Sequence, residues 1–232
     1  MKKTLTVILL SVSFLTGAFC QELTALQISE NAVSKANPEE AIKYVQSQVK
    51  TLTVPSEKRA TYAFLGTLQE SVALYSDAIK SYVAAAGITA TSAEGMTKKS
   101  SEQLVIDAVR CALSVGEYET AENYLNSAVR NSKNPEIQAT IKLYEQWCAL
   151  SKAEKYEETL EPLAMLKAYL EFPSMSSVKP SILLTLWYVT NEKMYADALV
   201  KEFPRSAEAG IATGKVQVYP APFWYFVPRK NN

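Results

Sequence analysis

The apolar residues of this chain recur at intervals of three and four positions almost throughout, which is the periodicity of an amphipathic α-helix. Prolines and glycines interrupt this pattern. The breaks lie at Asn37-Pro38, Val54-Pro55, 87–101, Asn134-Pro135, Phe172-Pro173, Lys179-Pro180 and Phe203-Pro204. Proline fits the first turn of a helix, where its missing N–H would be unpaired anyway, and it stops a preceding helix. The sequence therefore predicts an all-α fold of many short helices.

A spacing of aromatic and small residues repeats within this helical pattern. The first copy consists of Tyr62, Leu65, Gly66, Tyr75, Ala78, Tyr82 and Ala85. The second consists of Gly116, Glu117, Tyr118, Ala121, Leu125 and Ala128. Weaker copies flank them, and the anchor residues Ala41, Ala78, Ala121, Thr159 and Ala198 are separated by 37, 43, 38 and 39 residues. Alanine at such positions lets two helices approach closely while a neighbouring aromatic fills the gap.

These two copies resemble the tetratricopeptide repeat (TPR), with Leu-Gly in the first helix and alanine, aromatic and alanine in the second. The resemblance spans residues 22–213, is specific in two units, and implies an α-solenoid of about five helix-turn-helix hairpins. The family repeat is about 34 residues, so these units are irregular and residues 87–101 are interpreted as an extended loop between units. Pro162 either lies in the first turn of a helix that begins near Glu161 or kinks that helix. The alternative is a helical bundle whose alanine spacings are coincidental.

The resemblance also implies a concave partner-binding face, lined by the first helix of each hairpin. The positions in register are Ala63, Thr67, Glu70, Gln103, Ile106, Arg110, Leu113, Tyr144, Cys148, Leu183 and Trp187. The predicted partner-binding residues among them are Glu70, Gln103, Arg110, Tyr144 and Trp187. Arginine, tyrosine and tryptophan are the residue types enriched at interface hot spots, although ordinary packing is the alternative for each position.

Residues 1–20 have the pattern of a secretory signal peptide, with Lys2 and Lys3 before an apolar stretch over 4–15 and small residues at 17 and 18. The apolar stretch is shorter than the ~20 residues that span a bilayer. Cleavage after Cys20 would leave Gln21 as the N-terminus. Two alternatives stay open, lipidation of Cys20 and retention of the segment as an anchor. The predicted location is the periplasm, with or without a lipid anchor.

The C-terminal segment, 216–232, differs from the predicted helical domain over 21–215. Its three prolines, Pro220, Pro222 and Pro228, are incompatible with a regular helix. Four consecutive aromatic residues at 223–226 are not expected to lie free in water. We expect either an extended cap across the last repeat or insertion into the chain's own groove. Alternatively, Phe223, Trp224 and Tyr225 bind another protein, or the segment contacts a membrane interface with Arg229 and Lys230 beside it.

The composition disfavours several classes of chemistry. The chain has no histidine, three cysteines and seven glycines, and its 24 basic residues equal its 24 acidic residues. The sequence contains no recognisable set of metal ligands, cofactor-binding loop or nucleophile–base pair. Its balanced charge disfavours a nucleic-acid binder, which would need a basic face. Residues 210–216 approach a phosphate loop but lack one spacer and the hydroxyl residue. Cys111 and Cys148 could pair in an oxidising compartment or stay buried as free thiols.

The sequence therefore predicts a non-catalytic envelope scaffold that binds a protein or peptide through its concave face, without metal, cofactor or nucleic acid. One alternative is a subunit that binds a small apolar ligand, because the chain is similar in outline to TPR proteins associated with periplasmic solute transporters. A second is a lipoprotein of outer-membrane assembly, because residues 203–209 look like the linker between hairpins in such proteins.

Overall fold

The computed structural model describes residues 22–216 and 227–230, and these residues form eleven α-helices, three short 3-10 helices and no strand. The α-helices are α1 (Ala25–Val33), α2 (Pro38–Val49), α3 (Pro55–Ser71), α4 (Tyr75–Gly87), α5 (Ser101–Ser114), α6 (Tyr118–Leu125), α7 (Pro135–Ser151), α8 (Leu160–Tyr169), α9 (Lys179–Thr190), α10 (Lys193–Glu202) and α11 (Ala207–Ala212). The 3-10 helices are Ala128–Asn131, Tyr156–Thr159 and Pro173–Val178. The predicted all-α fold is confirmed. Within the described ranges, each helix is too short or too polar to cross a membrane.

The helices begin where the prolines predict. Pro38, Pro55 and Pro135 are the first residues of α2, α3 and α7. Asn37 caps α2 by accepting a hydrogen bond from the Glu40 N–H at 2.9 Å, as expected for a short polar side chain at this position. Helix α8 begins at Leu160 with Pro162 in its first turn, so the first of the two expectations for this proline is confirmed.

The turn from α5 into α6 depends on a left-handed residue. Gly116 has φ +76° there, and the Glu117 N–H donates to the Ala112 carbonyl at 2.9 Å. In the turn from α3 into α4, Ala73 adopts φ +62° and an equivalent bond closes the turn. Glycine reaches this conformation without the steric cost that a Cβ atom brings. Gly116 therefore suits the left-handed position of its turn, and the two turns are as far apart in the sequence as Ala78 and Ala121.

Successive helices pack against each other along the chain, notably α3 on α4, α4 on α5 and α5 on α6. A smaller apolar cluster joins α1, α2 and α3, whereas the main cluster extends from α4 to α11 and includes Val227. Of the repeat anchors, Ala78, Ala121 and Thr159 are fully buried. The spacing recognised in the sequence therefore marks buried contact points.

Residues 88–100 connect α4 to α5 as the predicted long loop. Arg59 of α3 is buried and holds the end of this loop, because Nη1 donates to the Ala85 carbonyl at 3.3 Å and Nη2 to the Lys99 carbonyl at 2.8 Å. Ala85 lies in the last turn of α4, where carbonyl groups lack helical donors and the helix dipole favours a cation. Arg59 therefore fixes the loop against α3 and α4.

Cys111 in α5 and Cys148 in α7 are both buried and free. Burial raises the pKa of each thiol to about 12. Both side chains therefore stay protonated at neutral pH and pack as small apolar groups.

Gly66 of α3 packs directly against the ring of Tyr82 in α4. A Cβ atom built on Gly66 would lie 2.7 Å from both Cδ1 and Cε1 of Tyr82, whose side chain is fully buried. No side chain larger than hydrogen fits there unless the ring moves. The glycine and the aromatic residue of the first repeat copy are therefore one packing unit.

We predict that Gly66→Ala lowers the free energy of unfolding by about 1–2 kcal/mol, because overpacking costs more than the gain in helix propensity. Gly87→Ala is the matched control, since no atom lies within 4 Å of its added Cβ atom. We expect that control to be neutral or stabilising by up to about 1 kcal/mol. Urea unfolding followed by circular dichroism measures both changes. If Gly66→Ala were as stable as Gly87→Ala, the result would contradict a tight contact between residue 66 and the Tyr82 ring.

Candidate functional site

Two of the predicted binding residues form an ion pair across the fold. Arg110 of α5 donates from Nε to Oε1 of Glu70 at 2.7 Å and from Nη2 to Oε2 at 2.9 Å. Glu70 lies in the last turn of α3, so the pair bridges two helices that both pack on α4. Two parallel charge-assisted hydrogen bonds fix the orientation of the guanidinium group as well as its position.

Three further side chains extend this pair into a network. Asp107 forms an ion pair with Nη1 of Arg110 at 2.9 Å and accepts a hydrogen bond from Nζ of Lys99 at 2.6 Å. The Tyr82 hydroxyl donates to Oε2 of Glu70 at 2.7 Å. We call Glu70, Tyr82, Lys99, Asp107 and Arg110 the polar cluster. Its two carboxylates and two cations balance.

Partial burial sets the electrostatics of the polar cluster. Burial by itself would raise the pKa of Glu70, but the hydrogen bonds and charge of Arg110 outweigh it and hold that pKa below its ordinary value of 4.5. Burial raises the pKa of Tyr82 well above its ordinary value, and the Glu70 charge adds to this effect. Glu70 is therefore ionised and Tyr82 protonated near neutral pH, which matches the direction of their hydrogen bond.

The other predicted residues occupy different surroundings. Tyr144 is buried, stacks on Trp147 with 4.9 Å between ring centroids, and lies near Arg110, whose charge partly offsets the rise that burial causes in the pKa of Tyr144. Gln103 is exposed and caps the start of α5, where its Oε1 accepts from the Ser100 N–H at 2.8 Å. Trp187 is half-buried on α9 against the main core. The described contacts thus bring together Glu70, Arg110 and Tyr144.

Sequence reasoning missed Asp107 and Lys99 as members of this site. Asp107 precedes Arg110 by three residues on α5, and this spacing places two side chains on one helix face and could have indicated the pair. Lys99 carries no such signal, because its position depends on the path of the 88–100 loop. The predicted site residues Cys20, Phe223, Trp224 and Tyr225 lie outside the described residues, as does the signal peptide predicted over 1–20.

A groove of about 420 Å³ lies beside the polar cluster and is partly open to solvent. Its walls come from α3 and from the 88–100 loop, and Lys99 belongs to both the groove and the polar cluster. We call it the α3 groove. Its lining residues are Ala60, Ala63, Phe64, Thr67, Met96, Thr97 and Lys99. Ala63 and Thr67 are among the positions predicted to line a concave face.

The site can offer hydrogen bonds beside an apolar surface. The side chains of Arg110 and Lys99 remain 39% and 29% exposed, and Lys99 also lines the α3 groove. In the described ranges, no three histidine, cysteine, aspartate or glutamate side chains are grouped to hold a metal ion. The geometry suits recognition of carbonyl oxygens next to an apolar side chain.

Comparisons with known proteins match part of the chain. The family model TP_0752_M, described as a middle domain, matches residues 151–232. An uncharacterized protein of Treponema pallidum (strain Nichols) is 28% identical over 133 residues, which cover 55% of this chain and 34% of the relative. The chain thus spans about a third of the length of the curated relative that it matches. No solved structure matches it. The family-model match starts after the polar cluster and includes α8 to α11.

The lowered pKa of Glu70 predicts a dependence of stability on pH. A carboxyl group whose folded pKa is depressed stabilises the fold above its unfolded pKa, and this stabilisation is lost as pH falls through the folded pKa. We expect Glu70→Gln to lower the free energy of unfolding by about 1–2 kcal/mol at pH 7, discounted because Arg110 is partly exposed. The difference from the wild type should shrink below about pH 4.5.

Urea unfolding at several pH values between 3 and 7 measures this difference. Glu39→Gln is the control, because Glu39 forms an exposed pair with Lys43 on α2 and its loss should change stability little at any pH. A difference between Glu70→Gln and the wild type that stays constant from pH 7 to pH 3 would contradict the proposed charge state.

Proposed function

We propose that this protein is a non-catalytic scaffold of the cell envelope that binds an extended segment of another protein. In this proposal the helices form a TPR-like solenoid of about five hairpins, α1–α2, α3–α4, α5–α6, α7–α8 and α9–α10. Support comes from the order of the helices, from the equivalent turns at Ala73 and Gly116, and from the burial of the repeat anchors. Stacking of hairpins that cannot bury their apolar faces alone would produce this arrangement.

The envelope location is part of the same proposal and rests on the sequence of residues 1–20. Lys2 and Lys3, the apolar stretch after them and the small residues before Cys20 are the features of a secretory leader. Lipidation at Cys20 would attach the mature chain to a membrane two residues before Glu22, where the described residues begin.

The observation that carries the proposal is the α3 groove next to the polar cluster. An extended peptide presents apolar side chains and backbone carbonyl groups side by side, and the site presents a matching apolar wall and cationic donors. Phe64 and Met96 supply large apolar surfaces, and methionine adapts its shape to different partners. Because the polar cluster is charge-balanced, we expect shape and hydrogen bonding to dominate over net charge.

A small apolar ligand is the alternative occupant. The groove volume lies in the range of about 300–1,000 Å³ that small-molecule pockets have. The α3 groove is partly open between a helix and a loop. This shape favours an extended segment as the occupant, because such a segment can continue past both ends of the groove. The mass of the bound molecule distinguishes the two.

We predict that Thr67→Tyr abolishes partner binding, because the added ring occupies the α3 groove without changing its charge. Thr51→Tyr is the matched control, since Thr51 is also exposed but lies after α2, away from the groove lining. Each variant is expressed in the native host, purified and weighed by native mass spectrometry. We expect the wild type and Thr51→Tyr to carry a stoichiometric protein mass, and Thr67→Tyr to carry at least about tenfold less, equivalent to ~1.4 kcal/mol.

Unchanged thermal unfolding of Thr67→Tyr would establish that the fold survives. Equal occupancy of Thr67→Tyr and the wild type would remove the α3 groove as the binding site. A co-purifying mass below about 1 kDa, too small for a protein segment, would favour the small-ligand alternative. The wild type without any bound mass under conditions that preserve complexes would contradict the scaffold proposal.

A further inference from the structure

The described end of the chain lies across the C-terminal ends of three helices. Val227 is 5% exposed and adjoins a cavity of about 290 Å³. One wall of this cavity comes from residues 113–116 at the end of α5, and the other from Leu150, Ser151 and Ala153 at the end of α7. An apolar side chain of the C-terminal segment is thus seated between two helix ends that are distant in the sequence.

Arg229 and Lys230 continue this contact to α9. Nε of Arg229 donates to the Tyr188 carbonyl at 2.7 Å, and its guanidinium carbon lies 4.2 Å from the centroid of the Tyr188 ring. The Lys230 N–H donates to the Val189 carbonyl at 3.0 Å. Carbonyl groups in the last turn of a helix lack intrahelical donors, and a cation there interacts favourably with the helix dipole. The segment therefore supplies N–H donors and a positive charge at the C-terminal end of α9.

These contacts define a surface that we call the edge cleft. It consists of the cavity between α5 and α7 together with the last turn of α9. Pro228 separates the two contact residues and restricts the backbone between them, so Val227 and Arg229 are held two positions apart on a stiff stretch of chain. The edge cleft thus accepts an apolar side chain and, two positions later, an arginine.

Val227 fills the cavity poorly. The cavity of about 290 Å³ beside Val227 is partly open to solvent, so space remains there for a larger apolar side chain. A phenylalanine or leucine in place of Val227 would gain apolar contacts without displacing the walls. Arg229 is exposed, so an incoming segment can reach its contact with Tyr188 and compete for it.

We propose that the edge cleft is a docking site for an extended segment of a partner protein that carries a large apolar residue two positions before an arginine. The C-terminal residues 227–230 of this chain occupy the cleft until such a segment displaces them. The edge cleft shares no described residue with the α3 groove, so this proposal does not rest on the function proposed above.

A capped fluorescent peptide with the sequence Phe-Pro-Arg-Lys tests this proposal with the full-length chain. The wild type and Arg229→Ala are titrated with the peptide, and anisotropy reports binding. The chain's own segment competes at an effective concentration of about millimolar, and Arg229→Ala weakens that competitor. We expect Arg229→Ala to bind the peptide at least about tenfold more tightly than the wild type, and the peptide Phe-Pro-Ala-Lys to bind about tenfold more weakly.

Two outcomes of the titration would overturn the proposal. One is the absence of saturable binding to Arg229→Ala at about 10 mM peptide, well above the effective concentration of the competitor. The other is equal binding of the two peptides. A concentration-dependent dimer of the wild type that dissolves on adding Phe-Pro-Arg-Lys would assign the cleft to a second copy and overturn the assignment to a partner.

Two further measurements locate the site and keep a folding defect from being mistaken for lost binding. A benzophenone in place of the peptide's phenylalanine ring should label residues 113–116 or 150–153, and labelling of the α3 groove would overturn the proposal. The full-length variant Val227→Phe should bind the Phe-Pro-Arg-Lys peptide more weakly than the wild type and resist trypsin cleavage after Arg229. Faster cleavage of Val227→Phe would show that the cavity does not accept a larger side chain.

Discussion

The contact between the Tyr82 ring and Gly66 is the constraint on which the candidate site depends. The ring lies where any side chain on Gly66 would be, so α3 can pack on this ring only with glycine at position 66. This packing brings the Tyr82 hydroxyl within 2.7 Å of Glu70, and Glu70 in turn holds Arg110 of α5. One buried aromatic residue of α4 thereby sets the relative position of α3 and α5. The α3 groove keeps its shape only while that spacing is maintained.

Local signals predicted the helices and part of their packing. Proline and asparagine positions predicted the starts of α2, α3 and α7, because capping depends on residues within one turn of the helix end. Gly66 and Tyr82 were recognisable because a close approach of two helices needs a small residue opposite a large one. Lys99 could not be assigned to the site, since its pairing with Asp107 follows from how Arg59 anchors the long loop. Periodicity likewise could not reveal that neighbouring helices bury Tyr144, because it defines a helix face without saying what covers that face.

The two surfaces that we propose for binding use different parts of the same helices. The α3 groove follows the side of a helix, where successive turns present small side chains and the loop provides a second wall. The edge cleft uses helix ends, where backbone carbonyl groups need donors that the helix itself does not supply. Helices that pack one on the next along the chain expose both their sides and their ends. The C-terminal residues 227–230 contact the second kind of surface.

The central claim is that Tyr82, Glu70 and Arg110 act as one connected unit between three helices. A double-mutant cycle with Tyr82→Phe and Arg110→Met measures this most directly, with the free energy of unfolding at pH 7 as the readout. Tyr82→Phe removes one hydrogen bond to the Glu70 carboxylate and Arg110→Met removes two, so their effects should be non-additive by at least about 0.5 kcal/mol. The cycle of Tyr82→Phe with Lys43→Met on α2 provides the uncoupled reference. Additivity of the Tyr82 and Arg110 changes within about 0.3 kcal/mol would contradict the claim.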